Sequence, residues 1–322
     1  MISSYGVIND TSPHIIADLF EIMALFERKA VSRGDVETYL VNEAGKAVVD
    51  ELEDDAGAGA SSAEKNEKYQ RLSEDVFLHL AYRQAVAGDW YPFVVNHDVL
   101  EPKTDLTTEK IGIYASLLVY SRLKMVSKSN QITFAANFER LSVEAVKGMF
   151  PDWEVIHFGK GGADRATFGN KLKLALPKLA KHMKDVAVQA YIDQISDNDT
   201  ADSGVDIVAL QAFDDPAPGV GTFLGQCAAQ GSTWPAKKFE ASAQTLRQYI
   251  NFFHDPGKLM IVPVFYRNPD GTWVDNEHCF SSIVLDRLRL IKLLDRRNSP
   301  AAITAARATV PAPLVAAIPA PA

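Results

Sequence analysis

The 322-residue chain contains only two cysteines, Cys227 and Cys279, and they show no metal-ligand spacing. A disulfide framework is therefore not expected, and a reducing, cytoplasmic setting is. The seven histidines form no HxxxH or HxH arrangement, and no serine or cysteine lies in a nucleophile motif. Hydrolase triads and zinc chemistry thus find little support. Gly159-Lys160-Gly161-Gly162 is not followed by Gly-Lys-Ser/Thr, so it lacks the pattern of a phosphate loop and reads as a turn. No apolar run is long enough to span a bilayer, and Met1-Ile2-Ser3-Ser4-Tyr5 lacks the basic flank and apolar segment of a signal peptide. The net charge of −8 argues against broad, non-specific affinity for polyanions. A polyanion ligand would need a local basic surface or a partner protein. What remains is ordinary for a globular protein, with 47% hydrophobic and 23% charged residues, and the length suits two domains or one large domain with extensions.

The informative stretch runs from Asp202 to Lys238. Gly204-Val205-Asp206-Ile207-Val208-Ala209-Leu210 and Phe223-Leu224-Gly225-Gln226-Cys227-Ala228 read as two short apolar strands. Asp202-Ser203-Gly204 precedes the first, and Asp214-Asp215-Pro216-Ala217-Pro218-Gly219 separates the two. Asp206 lies inside an apolar strand and Gln226 near the end of its neighbour. Burying a carboxylate among Val and Ile is costly unless something pairs with it, and a metal ion is one such partner. Asp206 and Gln226 together predict an oxygen-rich pocket suited to Mg²⁺. The alternative is a structural carboxylate and amide that satisfy neighbouring hydrogen-bonding groups.

Asp202 through Ala209 resembles the metal-binding strand of Mrr-type restriction endonucleases. Gln226-Cys227-Ala228 resembles their next strand, the second half of the PD-(D/E)xK signature, with Ala228 where the family has lysine. Phe138-Glu139-Arg140-Leu141 resembles the start of the first nuclease helix, whose Glu points at the same metal. The resemblance covers residues 134–295. It implies an α/β, restriction-endonuclease-like mixed sheet flanked by helices, acting as a metal-dependent DNA endonuclease with Mg²⁺ or Mn²⁺ in prokaryotic restriction or anti-phage defence. Asp206, Glu139, Gln226 and the backbone carbonyl of Cys227 would surround the metal. Asp206, Gln226 and Glu139 would be catalytic, with Lys237 or Lys238 replacing the motif lysine. The alternative is a catalytically inactive nuclease-fold subunit that binds nucleic acid or a partner protein of a defence complex. Neither reading requires a membrane, and both admit a homo-oligomer.

The rest of the chain is read from periodicity and punctuation. Residues 1–133 are expected to be a helical region, with helices over 13–32, 35–52, 64–87 and 106–125 and a flexible connector near 54–63. Trp90-Tyr91-Pro92-Phe93 reads as a core anchor, with base stacking as its alternative. Residues 134–298 make the nuclease-like domain, interrupted by an insertion over 160–200. Within it, Lys171, Lys173, Lys178, Lys181 and Lys184 lie away from the stripe Leu172, Leu176, Leu179 and Met183. That basic face suits a phosphate backbone, with a solvated helix face as the equal alternative. A helix is expected over 236–253, and residues 299–322 read as a disordered Ala/Pro tail.

Overall fold

In a computed structural model the described residues are 12–42, 62–229, 233–297 and 300–310. They fall into two units, which the chain enters more than once. The first takes the described residues up to Gln131, Val264–Val274 and Val310; the second takes Ile132–Pro263 and Asp275–Thr309. Among the described residues no helix is long and apolar enough to cross a membrane.

In the first unit, helices Pro13–Glu27, Arg33–Asn42, Ser62–Ala87 and Glu109–Tyr120 accompany a small antiparallel sheet, β1 (Val31–Ser32), β2 (Phe93–Asn96) and β3 (Val99–Pro102), in the order β1-β3-β2. The region is therefore not wholly helical as expected. Val94, Val95 and Val99 are β-branched, and His97 at φ 47° closes the two-residue turn between Asn96 and Val99. The first helix stops early, at Arg28 in the left-handed region (φ 53°). The expected continuation of the second helix past Asn42, and most of the connector, lie outside the described residues. Trp90, Tyr91 and Phe93 are buried, as anchors are.

This unit has a charged centre. Arg83 is fully buried; its Nη1 meets Asp18 Oδ1 at 2.8 Å and Glu21 Oε2 at 2.9 Å, and its Nη2 donates to the His14 carbonyl at 2.7 Å. Tyr114 donates to Glu21 at 3.2 Å and Ser121 to Asp18 at 2.7 Å. Val264–Val274 joins here because Phe265 lies under the Arg83 guanidinium (5.1 Å) and Tyr266 meets His14 edge-on (5.3 Å). The expectation that this segment belongs to the nuclease-like domain is corrected: its aromatic residues pack in the first unit.

His79 belongs to the same centre. Burial, and then Arg83 and His14, push its imidazole down from 6.5 to about 3, against weaker raising effects from the Arg267 backbone and Asp18. The folded state thus keeps His79 neutral, while the unfolded chain takes up a proton below about pH 6.5. Its contribution to stability is complete above that pH and is lost as pH falls toward about 3. The expected slope is about 1.4 kcal/mol per pH unit within the window. Urea titrations of wild type and His79→Gln between pH 7 and pH 4 check it. Parallel pH dependences for the two proteins would refute the assignment.

The second unit is built on a five-stranded mixed sheet. Its strands β4 (Glu154–His157), β6 (Ile207–Gln211), β7 (Gly221–Cys227), β9 (Gly257–Ile261) and β10 (Ile283–Leu285) run in the order β10-β9-β7-β6-β4. The β4/β6 and β6/β7 pairs are antiparallel, whereas β7/β9 and β9/β10 are parallel. β5 (Val186–Ala187) and β8 (Ile250–Asn251) form a separate short pair. Leu259, Met260 and Ile261 are all buried, as fits a strand paired in parallel on both sides with both faces covered.

One side of this sheet, through Ile156, Val208, Leu210 and Leu224, shares a core with Leu172, Leu176, Leu179 and Met183. The insertion therefore completes the core of its unit. Around the other side runs helix Lys128–Met149, and Phe150 and Trp153 stack at 4.6 Å beside Phe223. A methyl group on Gly148 would lie 2.2 Å from the Leu293 carbonyl, so this helix and Arg287–Arg296 meet backbone to backbone.

Two expectations fail in this unit. The helix expected over 236–253 is a 3₁₀ turn Trp234–Lys237, a short helix Ala243–Leu246 capped by Ser242, and β8. Phe239 and Phe253 are exposed, so the apolar spacing that suggested one helix does not trace a buried face. In the tail, Pro300–Ala308 is a helix that buries Ala302 and Ala306, while 311–322 lie outside the described residues.

Candidate active site

The start of β6 carries the site. Asp202 accepts from Gly204 N at 2.9 Å through Oδ1 and from Lys160 N at 3.1 Å through Oδ2. Ser203 (φ 57°) and Gly204 (φ 77°) are both left-handed. A Cβ at Gly204 would meet Glu240 Cβ at 2.7 Å, so the turn needs glycine there. Asp202 is thus a turn residue, and it delivers Asp206 to the sheet.

Asp206 is fixed by its backbone on both sides. Its N donates to Gly225 O at 2.9 Å, and its carbonyl accepts from Phe158 N at 2.8 Å and Gly159 N at 2.9 Å. The carboxylate Oδ2 accepts from Cys227 N at 2.7 Å. Burial, and then the nearby Glu139, hold this carboxyl well above the ordinary carboxylate range; the Cys227 bond and Lys237 oppose the shift.

Glu139 comes from helix Lys128–Met149 and lies 3.0 Å from His157 Nε2 through Oε2. His157 Nδ1 accepts from Ala163 N at 3.3 Å, so the ring proton sits on Nε2 and is donated to Glu139. Gly159 connects the two acids. A Cβ built on it would lie 2.9 Å from Asp206 Oδ1 and 3.1 Å from Glu139 Oε2. An oxygen of each carboxylate therefore borders the space over Gly159, the Asp206 one buried and the Glu139 one partly exposed, and like charges brought near each other in this way favour a proton or a cation beside them.

Gln226 donates through Nε2 to the Glu240 carboxylate. Its Oε1 is buried and has no hydrogen-bond partner, an orphan acceptor in an otherwise satisfied strand. The Cys227 thiol is pushed well above its usual value by burial and then by the charges of Asp206 and Glu139. Ala228 is 1% exposed and its N continues the ladder to Ile261 O at 2.9 Å.

Of the two lysines singled out, Lys237 is half-buried and acts on the Asp206 charge. Lys238 instead donates to the Glu277 carbonyl at 2.7 Å. In the basic stretch, Lys173 pairs with Asp197 at 2.9 Å, Lys178 donates to Thr167 O at 3.3 Å, and Lys184 donates to the Phe213 and Asp215 carbonyls. Lys171, Lys178 and Lys181 are exposed. Much of that face is committed to local partners.

His157, Gly159 and Glu240 escaped the sequence reading. Glu139 and His157 are separated by a helix end and a strand, so no motif spacing connects them. The available signal was a histidine ending an apolar strand directly before a glycine-rich turn. Among the described residues no three His, Cys, Asp or Glu side chains gather as a metal-binding group. Neither a protein-family model, nor a curated protein, nor a solved structure matches the chain.

Proposed function

We propose that the second unit is a metal-dependent DNA endonuclease with a restriction-endonuclease-like, PD-(D/E)xK core, serving prokaryotic restriction or anti-phage defence. The observation that carries this reading is the buried Asp206 carboxylate facing Glu139 beside Gly159. The element order supports it in part: helix Lys128–Met149 is followed by β4, the insertion, β6, β7 and later β9, while the helix expected between β7 and β9 is replaced by a turn, a short helix and β8.

The residues fit a hard divalent cation. A buried and a partly exposed carboxylate bordering Gly159, with a buried amide oxygen on the neighbouring strand, suit Mg²⁺ or Mn²⁺, which retain several waters. When bound, such an ion offsets charge on the phosphorane-like transition state and lowers the pKa of an attacking water. Asp206 and Glu139 would hold it, and His157 would keep Glu139 in place by its Nε2–H bond. Lys237 would balance negative charge developing on the phosphate.

The second reading, a nuclease-fold subunit without catalysis, is favoured by Ala228. The motif lysine position holds a methyl group enclosed in the core. Plasmid cleavage in Mg²⁺ or Mn²⁺ separates the two. Cutting that EDTA stops supports the enzyme, and intact plasmid with every metal supports the inactive subunit.

Gly159→Ala supplies a narrower check. Its methyl would crowd both carboxylate oxygens. Cleavage is expected to fall about a hundredfold, the size seen when a positioned group is displaced by an ångström. Circular dichroism should be unchanged. Unimpaired cleavage by this variant would place the reacting centre elsewhere.

A further inference from the structure

Beside Gln226 the surface presents an aromatic ring attended by two amines. Phe239 is 57% exposed, with Lys238 Nζ 5.2 Å and Lys258 Nζ 4.9 Å from its ring centroid. The three residues arrive from different elements. Lys238 and Phe239 follow the Trp234–Lys237 turn, whereas Lys258 lies on β9 opposite Leu224 of β7. Gln226 stands opposite Met260 in the same ladder, and strand side chains alternate with period two. Lys258 and Gln226 therefore project from the same face of the sheet.

The sequence neighbours of this group reach the candidate active site. Glu240 takes the Gln226 amide, and Lys237 acts on the charge of Asp206. The two amines also repel each other: Lys258 loses its proton more readily than usual because of burial and then Lys238. An exposed ring with two mutually repelling cations over it is complementary to a ligand whose anionic ends draw the amines aside and whose flat face takes their place.

We infer that Phe239, Lys238 and Lys258 form a stacking platform for an unpaired nucleotide of the strand at the active site. The base displaces the amines from over the ring, and on their flexible four-carbon stems Lys258, and Lys238 on leaving the Glu277 carbonyl, take the flanking phosphates. A base inside a duplex already has both faces stacked, so the platform selects single-stranded or frayed nucleic acid. This inference rests on the nuclease reading for its location, and it specifies the form of the substrate.

The test is fluorescence anisotropy on full-length Asp206→Asn protein with a labelled oligothymidylate and, separately, a labelled blunt duplex. The oligothymidylate is expected to bind at least tenfold tighter than the duplex. Adding Phe239→Ala should weaken oligothymidylate binding by about tenfold or more, with Phe239→Trp restoring it. Adding Lys238→Ala and Lys258→Ala should lower the salt slope by about 0.7 for each lysine. Equal affinity for both probes, no oligothymidylate binding, or a Phe239→Ala protein that binds like its parent would overturn the inference. Wild-type cleavage is read separately. Cutting with an indifferent Phe239 leaves the nuclease and removes the platform; a Phe239-dependent preference without cutting does the reverse.

Discussion

Asp206→Ala is expected to reduce Mg²⁺-dependent plasmid cleavage by about a thousandfold or more, because loss of a metal-anchoring carboxylate removes several kcal/mol of transition-state stabilisation. Asp206→Asn should lose as much while keeping an oxygen for the Cys227 amide. The second variant carries an additional signature. The folded carboxyl titrates above its ordinary value, so at neutral pH this group opposes folding. The sign follows directly: the penalty is absent below the ordinary carboxylate value, grows as pH rises above it while the unfolded chain ionises and the folded group does not, and is complete once pH passes the raised value. Removing the charge at pH 7 without metal should therefore raise Tm, by about 2–4 °C for a gain of roughly 1 kcal/mol. Lost activity with gained stability is the mark of a site strained for function, whereas a structural carboxylate would lose stability on substitution. Scanning calorimetry in EDTA together with cleavage in Mg²⁺ tests both halves. A destabilised Asp206→Asn protein would contradict the strain argument, and an active one would contradict the assignment of Asp206.

Arg83→Met should cost the first unit about 3–5 kcal/mol, enough to unfold a marginal domain. The guanidinium is entirely enclosed and faces two carboxylates, Asp18 and Glu21. Burial by itself would lower its pKa, but Glu21 and then Asp18 outweigh that effect and hold it above the usual arginine value. One cation thus serves two acids, with the Tyr114 and Ser121 hydroxyls donating to them as well. Removing the cation leaves both acids desolvated without a counter-charge from Arg83, whereas replacing the charged set together need not be costly. Arg83→Met combined with Asp18→Asn and Glu21→Gln should recover a large part of the lost stability. Urea unfolding of the single and triple variants measures this. A single variant within about 1 kcal/mol of wild type would show that the pairs contribute little.

The central strands were legible because their apolar runs are short, bounded by turn residues, and interrupted by a polar group at a meaningful place. Asp206 stood out since a carboxylate among Val and Ile is costly to bury. Glu139 was legible only through its resemblance to a helix start, for its local pattern is that of a surface glutamate. The 236–253 region misled because Leu246, Tyr249, Ile250 and Phe253 have a spacing that permits a helix, while Ser242 caps a new, shorter turn. His157 left only the faint signal of a histidine closing an apolar strand, and Glu240 left none, since each acquires its role from a partner brought close by the fold. The Val264–Val274 excursion was equally hidden: Phe265 and Tyr266 look like the end of a strand, and only their partners Arg83 and His14 reveal where they pack.

That excursion governs how the molecule can be dissected. The chain passes from one unit to the other at Gln131, again after Pro263, back after Val274, and once more after Thr309. No single scission separates the halves. A fragment ending at Gln131 would lack the ring beneath Arg83, and a fragment starting at Ile132 would carry Phe265 and Tyr266 stripped of their partners. The two units are interleaved along the polypeptide, so neither is complete until the chain has been synthesised as far as Thr309 and Val310.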